Sequence, residues 1–399
     1  METAIKKIRV LVADDSAFMR KVLVSILSAD PQMEVVGEAR DGKEAVAQSE
    51  ALNPDVITMD INMPHMDGLQ ATEVIMSSKP RPIVIVSSES REGADTTLKA
   101  LELGAIDFVA KPSSGIDLDM NTVREELSKK LRMAAKVRVV RTASRSKLAQ
   151  QIATSAPRVE ASLPSGYGRN TAPASTEAPH PAVLNPLSAF AATGLAAHRH
   201  GGRFPLVMVA ASTGGPATLM KFIPSFPKDF PGAVLLVQHM PASFTSQFSR
   251  QLAEIASVRV KEAEPGEIVS AGTLYLCPGS SHMKVSQTGR LTLDEGDRIN
   301  GYRPCADVTL ETAAEFAGNM GIAVILTGMG NDGCRGAQLV KAAGGHVIAQ
   351  DEATSVIFGM NAEAIKSGAV DQILPIESIY SAIEKRVLYI MGTAMAGAR

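Results

Sequence analysis

A chain of 399 residues with 45 % hydrophobic and 21 % charged side chains has a soluble globular balance and enough length for two ordinary domains, each burying its own core. Its formal net charge of −2 gives no general attraction to nucleic acid or to an anionic membrane, and no segment approaches the roughly 20 apolar residues of a membrane-spanning helix. Cys277, Cys305 and Cys334 match no zinc spacing or disulfide framework, and METAIKKIRVLVADD lacks the apolar stretch of a secretory signal, so a cytoplasmic location is expected.

Residues 1–138 alternate short apolar runs with helical patterns. IRVLVA, MEVVGEA, DVITM, PIVIVS and IDFVA read as strands, and Phe18, Val22, Ile26 and Leu27 recur at helical spacing between the first two. Near-continuous apolar strands separated by helices imply a parallel sheet covered on both faces, with any site outside the carboxyl ends of the strands. Asp14 and Asp15 follow the first strand, Asp60 the third, Ser87 the fourth and Lys111 the fifth. Each alone has a plain explanation: Asp after a strand makes a turn or caps a helix, and Lys-Pro is ordinary loop chemistry. Five such residues ending successive strands point instead to a site. Crowded carboxylates call for a cation, oxygen ligands suit Mg²⁺, and an aspartate can itself carry a phosphoryl group as an acyl phosphate.

The stretches VLVADDSAFMR, DVITMDINMPHMDGL, IVIVSS and GAIDFVAKP resemble the receiver domain of two-component response regulators. The resemblance implies a flavodoxin-like fold in which Asp60 accepts phosphate from a histidine kinase. It implies that Asp14, Asp15 and Asp60 hold Mg²⁺, that Ser87 and Lys111 sense the phosphoryl group, and that Phe108 is the switch aromatic.

Residues 139–202 are dominated by Ala, Ser, Thr, Pro and Gly and read as a flexible linker. From 203 to 399 the α/β alternation resumes. PLVMVAAS ends in Ser212, GAVLLVQHMP in His239, and MGIAVILTGMGNDG in a glycine-rich turn carrying Asp332. In an open, mostly parallel sheet these three ends line one edge. A serine hydroxyl becomes nucleophilic when a base takes its proton; imidazole, with an ordinary pKa of about 6.5, can do so, and a carboxylate on its other nitrogen fixes the tautomer. Gly214, Gly215, Gly328 and Gly330 let backbone approach a ligand. The order Ser, His, Asp and the absence of G-x-S-x-G set this apart from the α/β-hydrolases.

Other readings remain open at this level. Ser212 or Thr213 could cap the following helix, with Pro216 in its first turn, and Asp332 could cap GCRGAQLVKAAG. His282, in the β-rich stretch TLYLCPGSSHMKV, and His346, which opens a strand, are rival bases. A phosphate loop at STGGP lacks its Lys-Ser/Thr pair. Gly328-x-Gly330-x-x-Gly333 fits dinucleotide spacing, but Asp351 is a poor acidic partner for it. Cys305 reads as a loop or core cysteine, and the methionines as core filler apart from Met240 and Met329.

AASTGGP, LLVQHMP, YRPCADV and ILTGMGNDG resemble the catalytic domain of the chemotaxis methylesterase (CheB) family. The resemblance implies a doubly wound α/β methylesterase domain with Ser212 as nucleophile, His239 as base, Asp332 as its orienting acid and the Met329 N–H in an oxyanion hole. It departs from the family pattern at Ala210, where many relatives have Gly, and in the length of the linker. The activity implied is hydrolysis of γ-glutamyl methyl esters on methyl-accepting chemoreceptors, together with deamidation of receptor glutamines. No cofactor is implied at the esterase site, and Mg²⁺ belongs to the receiver. The unphosphorylated receiver is expected to cover the esterase cleft. Two other classes compete. A DNA-binding output would require a compact helical domain with a basic face, which the α/β pattern does not supply; a binding module that keeps this fold without catalysis stays open in the sequence, although the presence of Ser212, His239 and Asp332 together argues against it.

Overall fold

The computed structural model describes residues 6–88, 90–111, 120–137 and 204–397; the expected linker, 139–202, lies outside the described residues. The first half runs β1 (Ile8–Ala13), α1 (Ala17–Ser28), β2 (Met33–Ala39), α2 (Gly42–Leu52), β3 (Val56–Met59), α3 (Gly68–Ser78), β4 (Ile83–Ser87), α4 (Arg91–Glu102), β5 (Asp107–Ala110) and α5 (Met120–Ala134). All pairings are parallel in the order β2-β1-β3-β4-β5, the flavodoxin-like order. Strand alternation sends Leu11, Ile57, Met59 and Ile85 to one apolar layer and Val10, Val12, Val56 and Val84 to the other. Helix starts follow the sequence: Asp41 caps α2 by accepting from Glu44 N, and Asp67 with Gln70 forms a capping box at α3.

The second half runs β6 (Leu206–Ala211), α6 (Gly215–Phe222), β7 (Ala233–Gln238), α7 (Ala242–Ile255), β8 (Arg259–Glu262), β9 (Thr273–Leu276), β10 (His282–Val285), β11 (Leu291–Asp294), α8 (Ala306–Ala317), β12 (Gly321–Ile325), α9 (Cys334–Ala342), β13 (His346–Gln350), α10 (Met360–Lys366), β14 (Gln372–Leu374) and α11 (Ile376–Gly397). Its main sheet is parallel throughout, in the order β14-β13-β12-β6-β7-β9-β8, while β10 and β11 form a separate antiparallel pair. Val207, Val209 and Ala211 join an apolar layer with Phe222, Phe244 and Ile379; Leu206, Met208 and Ala210 join the opposite layer with Leu310 and Ala337. Helices on both faces make this sheet doubly wound.

The chain leaves β6 toward β7 on one side and reaches β12, β13 and β14 on the other. The direction therefore reverses between β6 and β12, and the crevice of such a sheet opens at the carboxyl ends there. Against this edge lies the first half. Its α4 packs on α6 and α7, and the Phe108 ring meets the Phe244 ring at 4.4 Å.

Candidate active site

Ser212 is the first residue beyond β6 and His239 the first beyond β7, so parallel neighbours deliver a hydroxyl and an imidazole side by side. Ser212 N donates to Thr327 O at 3.0 Å and His239 N to Ala211 O at 3.1 Å, which fixes both backbones. Gln238, unremarked in the sequence, ties the two ends together: its Nε2 donates to Ser212 O at 2.9 Å and to His239 O at 3.1 Å. Asp332 arrives from the turn after β12, which pairs with the other edge of β6.

The three side chains form one chain of hydrogen bonds. His239 Nδ1 lies 3.0 Å from Ser212 Oγ, and His239 Nε2 lies 2.7 Å from Asp332 Oδ2. An ionised carboxylate can only accept, so the ring proton sits on Nε2 and Nδ1 presents its lone pair to the serine hydroxyl. That arrangement can take the Ser212 proton as the oxygen attacks a carbonyl carbon. The glycine turn closes in from beside it: a Cβ on Gly328 would lie 2.9 Å from Ser212 Cβ and 2.3 Å from Met360 Sδ, so only glycine lets this backbone pass. Met329 is the next residue of this turn.

Asp332 is buried and densely supplied with donors. Ala306 N donates to its Oδ2 at 2.6 Å; Asp307 N and Gly333 N each donate to Oδ1 at 2.9 Å, and the Cys305 thiol approaches Oδ1 at 3.1 Å. Burial pushes the carboxyl up, but the His239 bond and charge, with the N–H groups of Asp307 and Ala306, outweigh it and hold the group below its ordinary value. The carboxylate is thus kept ionised.

Glycines, not the polar residues expected as caps, begin both helices, α6 and α9. Gly333 (φ +86°), not Asp332, is the N-cap of α9; the Asp332 carboxylate instead serves the first N–H groups of α8. Neither Ser212 nor Thr213 caps α6: Gly214 (φ +75°) occupies the cap without a side-chain bond, because the Ser212 hydroxyl is engaged by His239 and the Thr213 hydroxyl elsewhere. Pro216 does sit in the first turn.

The rival histidines go elsewhere. His282 bonds Asp297 O at 3.0 Å from the β10 hairpin, and His346 opens β13 at the opposite edge beside Asp371. Of the triad's neighbours, Tyr302 went unremarked in the sequence, and Cys305, expected as a loop or core cysteine, is buried as that expects but also touches Asp332. The Tyr302 ring stacks on His239, with centroids 4.3 Å apart and planes at 17°. Both lie in YRPCADV, so the motif was visible although their contacts were not. Cys305, Asp307 and Asp332 bring ligand-type atoms within 4.8 Å of one another, but Asp332 is committed to His239 and Asp307 Oδ1 accepts from Gly336 N at 2.7 Å.

At the first sheet the five expected residues also gather. Lys111 Nζ lies 2.9 Å from Asp14 Oδ2 and 2.8 Å from Asp60 Oδ2, and Asp60 Oδ1 accepts from Ile61 N at 2.8 Å. Burial raises the Asp60 carboxyl above its ordinary value and the Asp14 charge adds to this, against the lowering effect of Lys111. Lys111 is itself raised: burial works against its charge, and Asp60 and Asp14 overcome that. Asp14, Asp15 and Asp60 offer oxygens within 4.8 Å of one another, two of the residues buried and one exposed, a hard-oxygen set whose chemistry would suit Mg²⁺. Ser87 ends β4 and its hydroxyl donates to Gly93 O at 3.3 Å.

Phe108 is buried where the two halves meet, between Phe244 and the Lys130 ammonium 5.1 Å from its centroid. Next to it, Asp107 Oδ2 accepts from the Thr213 hydroxyl at 2.6 Å. Lys129 of α5 reaches Tyr302 Oη at 3.3 Å. With the first half seated here, Ser212 is only 8 % exposed.

Two families match the chain: the CheB methylesterase over residues 207–383 and the response regulator receiver domain over residues 10–122. The protein-glutamate methylesterase/protein-glutamine glutaminase of Pyrococcus horikoshii is 42 % identical over 396 residues, covering 98 % of this chain and 97 % of the relative. The protein of the same name from Symbiobacterium thermophilum is 42 % identical over 385 residues, covering 96 % and 98 %. The crystal structure of the Thermotoga maritima CheB methylesterase catalytic domain, 43 % identical, covers 47 % of this chain and 100 % of that one with a TM-score of 0.45.

Proposed function

Because the chain belongs to the CheB family of receiver-bearing protein-glutamate methylesterases, we propose that it is a phosphorylation-activated hydrolase of γ-glutamyl methyl esters on chemoreceptors in chemotaxis adaptation. The observation that carries the reading is the continuous Ser212–His239–Asp332 hydrogen-bond chain at 3.0 and 2.7 Å, built at the switch point of a parallel sheet. Residues 1–138 are the receiver, 139–202 the linker and 203–399 the catalytic domain.

His239 Nδ1 takes the Ser212 proton as Oγ bonds to the ester carbonyl carbon, and the carbonyl electron pair moves onto oxygen. The Met329 N–H stabilises that oxyanion. When the pair returns, the C–O bond to the methoxy group breaks, and the imidazolium gives it the proton to release methanol. Water then attacks the glutamyl-serine ester, losing its proton to Nδ1. Ser212 leaves as the hydroxyl, and the product is a receptor glutamate. Asp332 does not change protonation; it orients the ring and offsets the imidazolium charge. A glutamine amide follows the same path with ammonia leaving, which accounts for the glutaminase activity in the relatives' name.

Asp60 is the phosphate acceptor, served by a histidine kinase as donor, and Asp14, Asp15 and Asp60 would hold Mg²⁺. Bound there, Mg²⁺ supplies positive charge beside the phosphoryl oxygens. Lys111 and Ser87 sense the new group and Phe108 carries the change to the interface with the catalytic domain. The esterase chemistry uses side chains and backbone alone. Among the described residues no helix is long and apolar enough to cross a membrane, and the chain acts in the cytoplasm on the cytoplasmic helices of receptors.

The test is methanol release from methylated receptor fragments by the full chain with acetyl phosphate and Mg²⁺. Ser212→Ala should abolish release, and Asp60→Asn should keep the chain at its unstimulated rate. Equal release by Ser212→Ala and the unaltered chain would remove the serine mechanism.

A further inference from the structure

Two in-plane hydrogen bonds hold the His239 ring, Nδ1 to Ser212 Oγ and Nε2 to Asp332 Oδ2. They fix the line through the two nitrogens but not the tilt of the ring about that line. Tilt matters, because the lone pair on Nδ1 lies in the ring plane and leaves the Ser212 proton as the plane turns. A flat surface against the ring face would set it, and Tyr302 provides one: its ring lies 4.3 Å from the imidazole with only 17° between the planes.

Tyr302 is well braced for this. Ile299 and Tyr302 pair by reciprocal backbone bonds of 3.0 and 2.9 Å across Asn300 and Gly301, whose φ values of +52° and +84° suit a tight Asn-Gly hairpin turn. The Tyr302 hydroxyl donates to Met329 O at 3.3 Å. Room for that hydroxyl exists because residue 330 is glycine: a Cβ there would sit 2.4 Å from Tyr302 Oη. The same segment continues into Cys305, Ala306 and Asp307, which supply donors to Asp332. One stretch of chain thus meets the face of the imidazole, the carboxylate behind it and the turn bearing Met329.

We propose that Tyr302 is a positioning residue for the reaction: its stacked ring sets the tilt of His239, and its hydroxyl ties that ring to the Met329–Gly330 turn. The proposal rests on the reading of His239 as the base. A residue that acts by aiming the base lowers the barrier of the chemical step and leaves substrate affinity alone, so its loss appears in kcat and not in KM.

The experiment uses the full chain with acetyl phosphate and Mg²⁺, following methanol release from methylated receptor fragments. Tyr302→Phe, which keeps the ring and gives up a long hydroxyl contact, should stay within about two-fold of the unaltered kcat, since the stack does most of the positioning. Tyr302→Leu and Tyr302→Met, which remove the flat face at similar bulk, should lower kcat by roughly 10- to 100-fold with KM unchanged, the scale of a misaimed catalytic group. Melting temperatures show which variants fold, and either Leu or Met suffices. Full kcat in the folded variant, a rise in KM alone, or a Phe variant as slow as the Leu variant would each overturn the proposal. Ser212→Ala and His239→Gln run in the same assay: if they still release methanol, the reading of the base has failed, whereas if they are inactive and Tyr302→Leu is not impaired, only the positioning role has failed.

Discussion

Thr213 donates its hydroxyl to Asp107 across the interface of the two halves, a 2.6 Å buried bond between residues 106 positions apart. Thr213 follows Ser212 and Asp107 precedes Phe108, so the bond joins the carboxyl edge of the second sheet to the receiver's fifth strand. Asp107 is otherwise served by Phe108 N at 2.7 Å and Lys130 Nζ at 3.2 Å. Thr213→Val keeps the shape and removes the donor. A hydrogen bond to a charged group contributes about 1.5–3 kcal/mol, so the covered arrangement should weaken by about ten-fold or more. The expected outcome is a higher unstimulated rate of methanol release and a smaller ratio of acetyl-phosphate-stimulated to unstimulated activity. An unchanged ratio would mean that this bond does not help hold the receiver on the site.

Lys111 is the counter-charge for two buried carboxylates, at 2.9 Å from Asp14 and 2.8 Å from Asp60. Removing one partner of a buried pair is costlier than never having built it, about 3–5 kcal/mol, because the remaining charge stays buried and unpaired. Lys111→Met should therefore melt well below the unaltered chain in the absence of divalent ions. Mg²⁺ held by Asp14, Asp15 and Asp60 in the folded chain alone would raise the melting temperature of both proteins, and more so in Lys111→Met, which lacks the ammonium. A melting temperature indifferent to Mg²⁺ in both would argue against Asp14, Asp15 and Asp60 as its ligands.

Residues that end buried strands were legible in the sequence, and residues that act by reaching across were not. Ser212, His239 and Asp332 each follow an apolar run, and parallel pairing alone carries β6, β7 and β12 to one edge. The same logic exposed Asp14, Asp60, Ser87 and Lys111. Tyr302 and Cys305 sit in a segment that leaves the β10–β11 hairpin by an Asn-Gly turn, and no periodicity tells where such a segment lands. Thr213 and Asp107 meet only through the docking of two sheets. The helix caps misled for a physical reason: a glycine at positive φ starts α6 and α9, which frees the polar side chains beside it for longer-range bonds.

Cys305 shows how such a bond can be tested. Burial, and then the Asp332 charge, push its thiol up to about 12, so it stays neutral and can donate its proton toward Asp332 Oδ1 at 3.1 Å. A hydroxyl of similar size should do the same, whereas a methyl group leaves that oxygen with the Asp307 and Gly333 N–H groups alone. Cys305→Ser should keep kcat within about two-fold, and Cys305→Ala should lower it by up to about ten-fold, no more than the low end of a hydrogen bond to a charged group because a thiol is a weak donor. The thiol is fully buried, so alkylating reagents should modify it only when the chain unfolds. Rapid modification of Cys305 in the native protein, or equal activity of the Ser and Ala variants, would show that the thiol does not support Asp332.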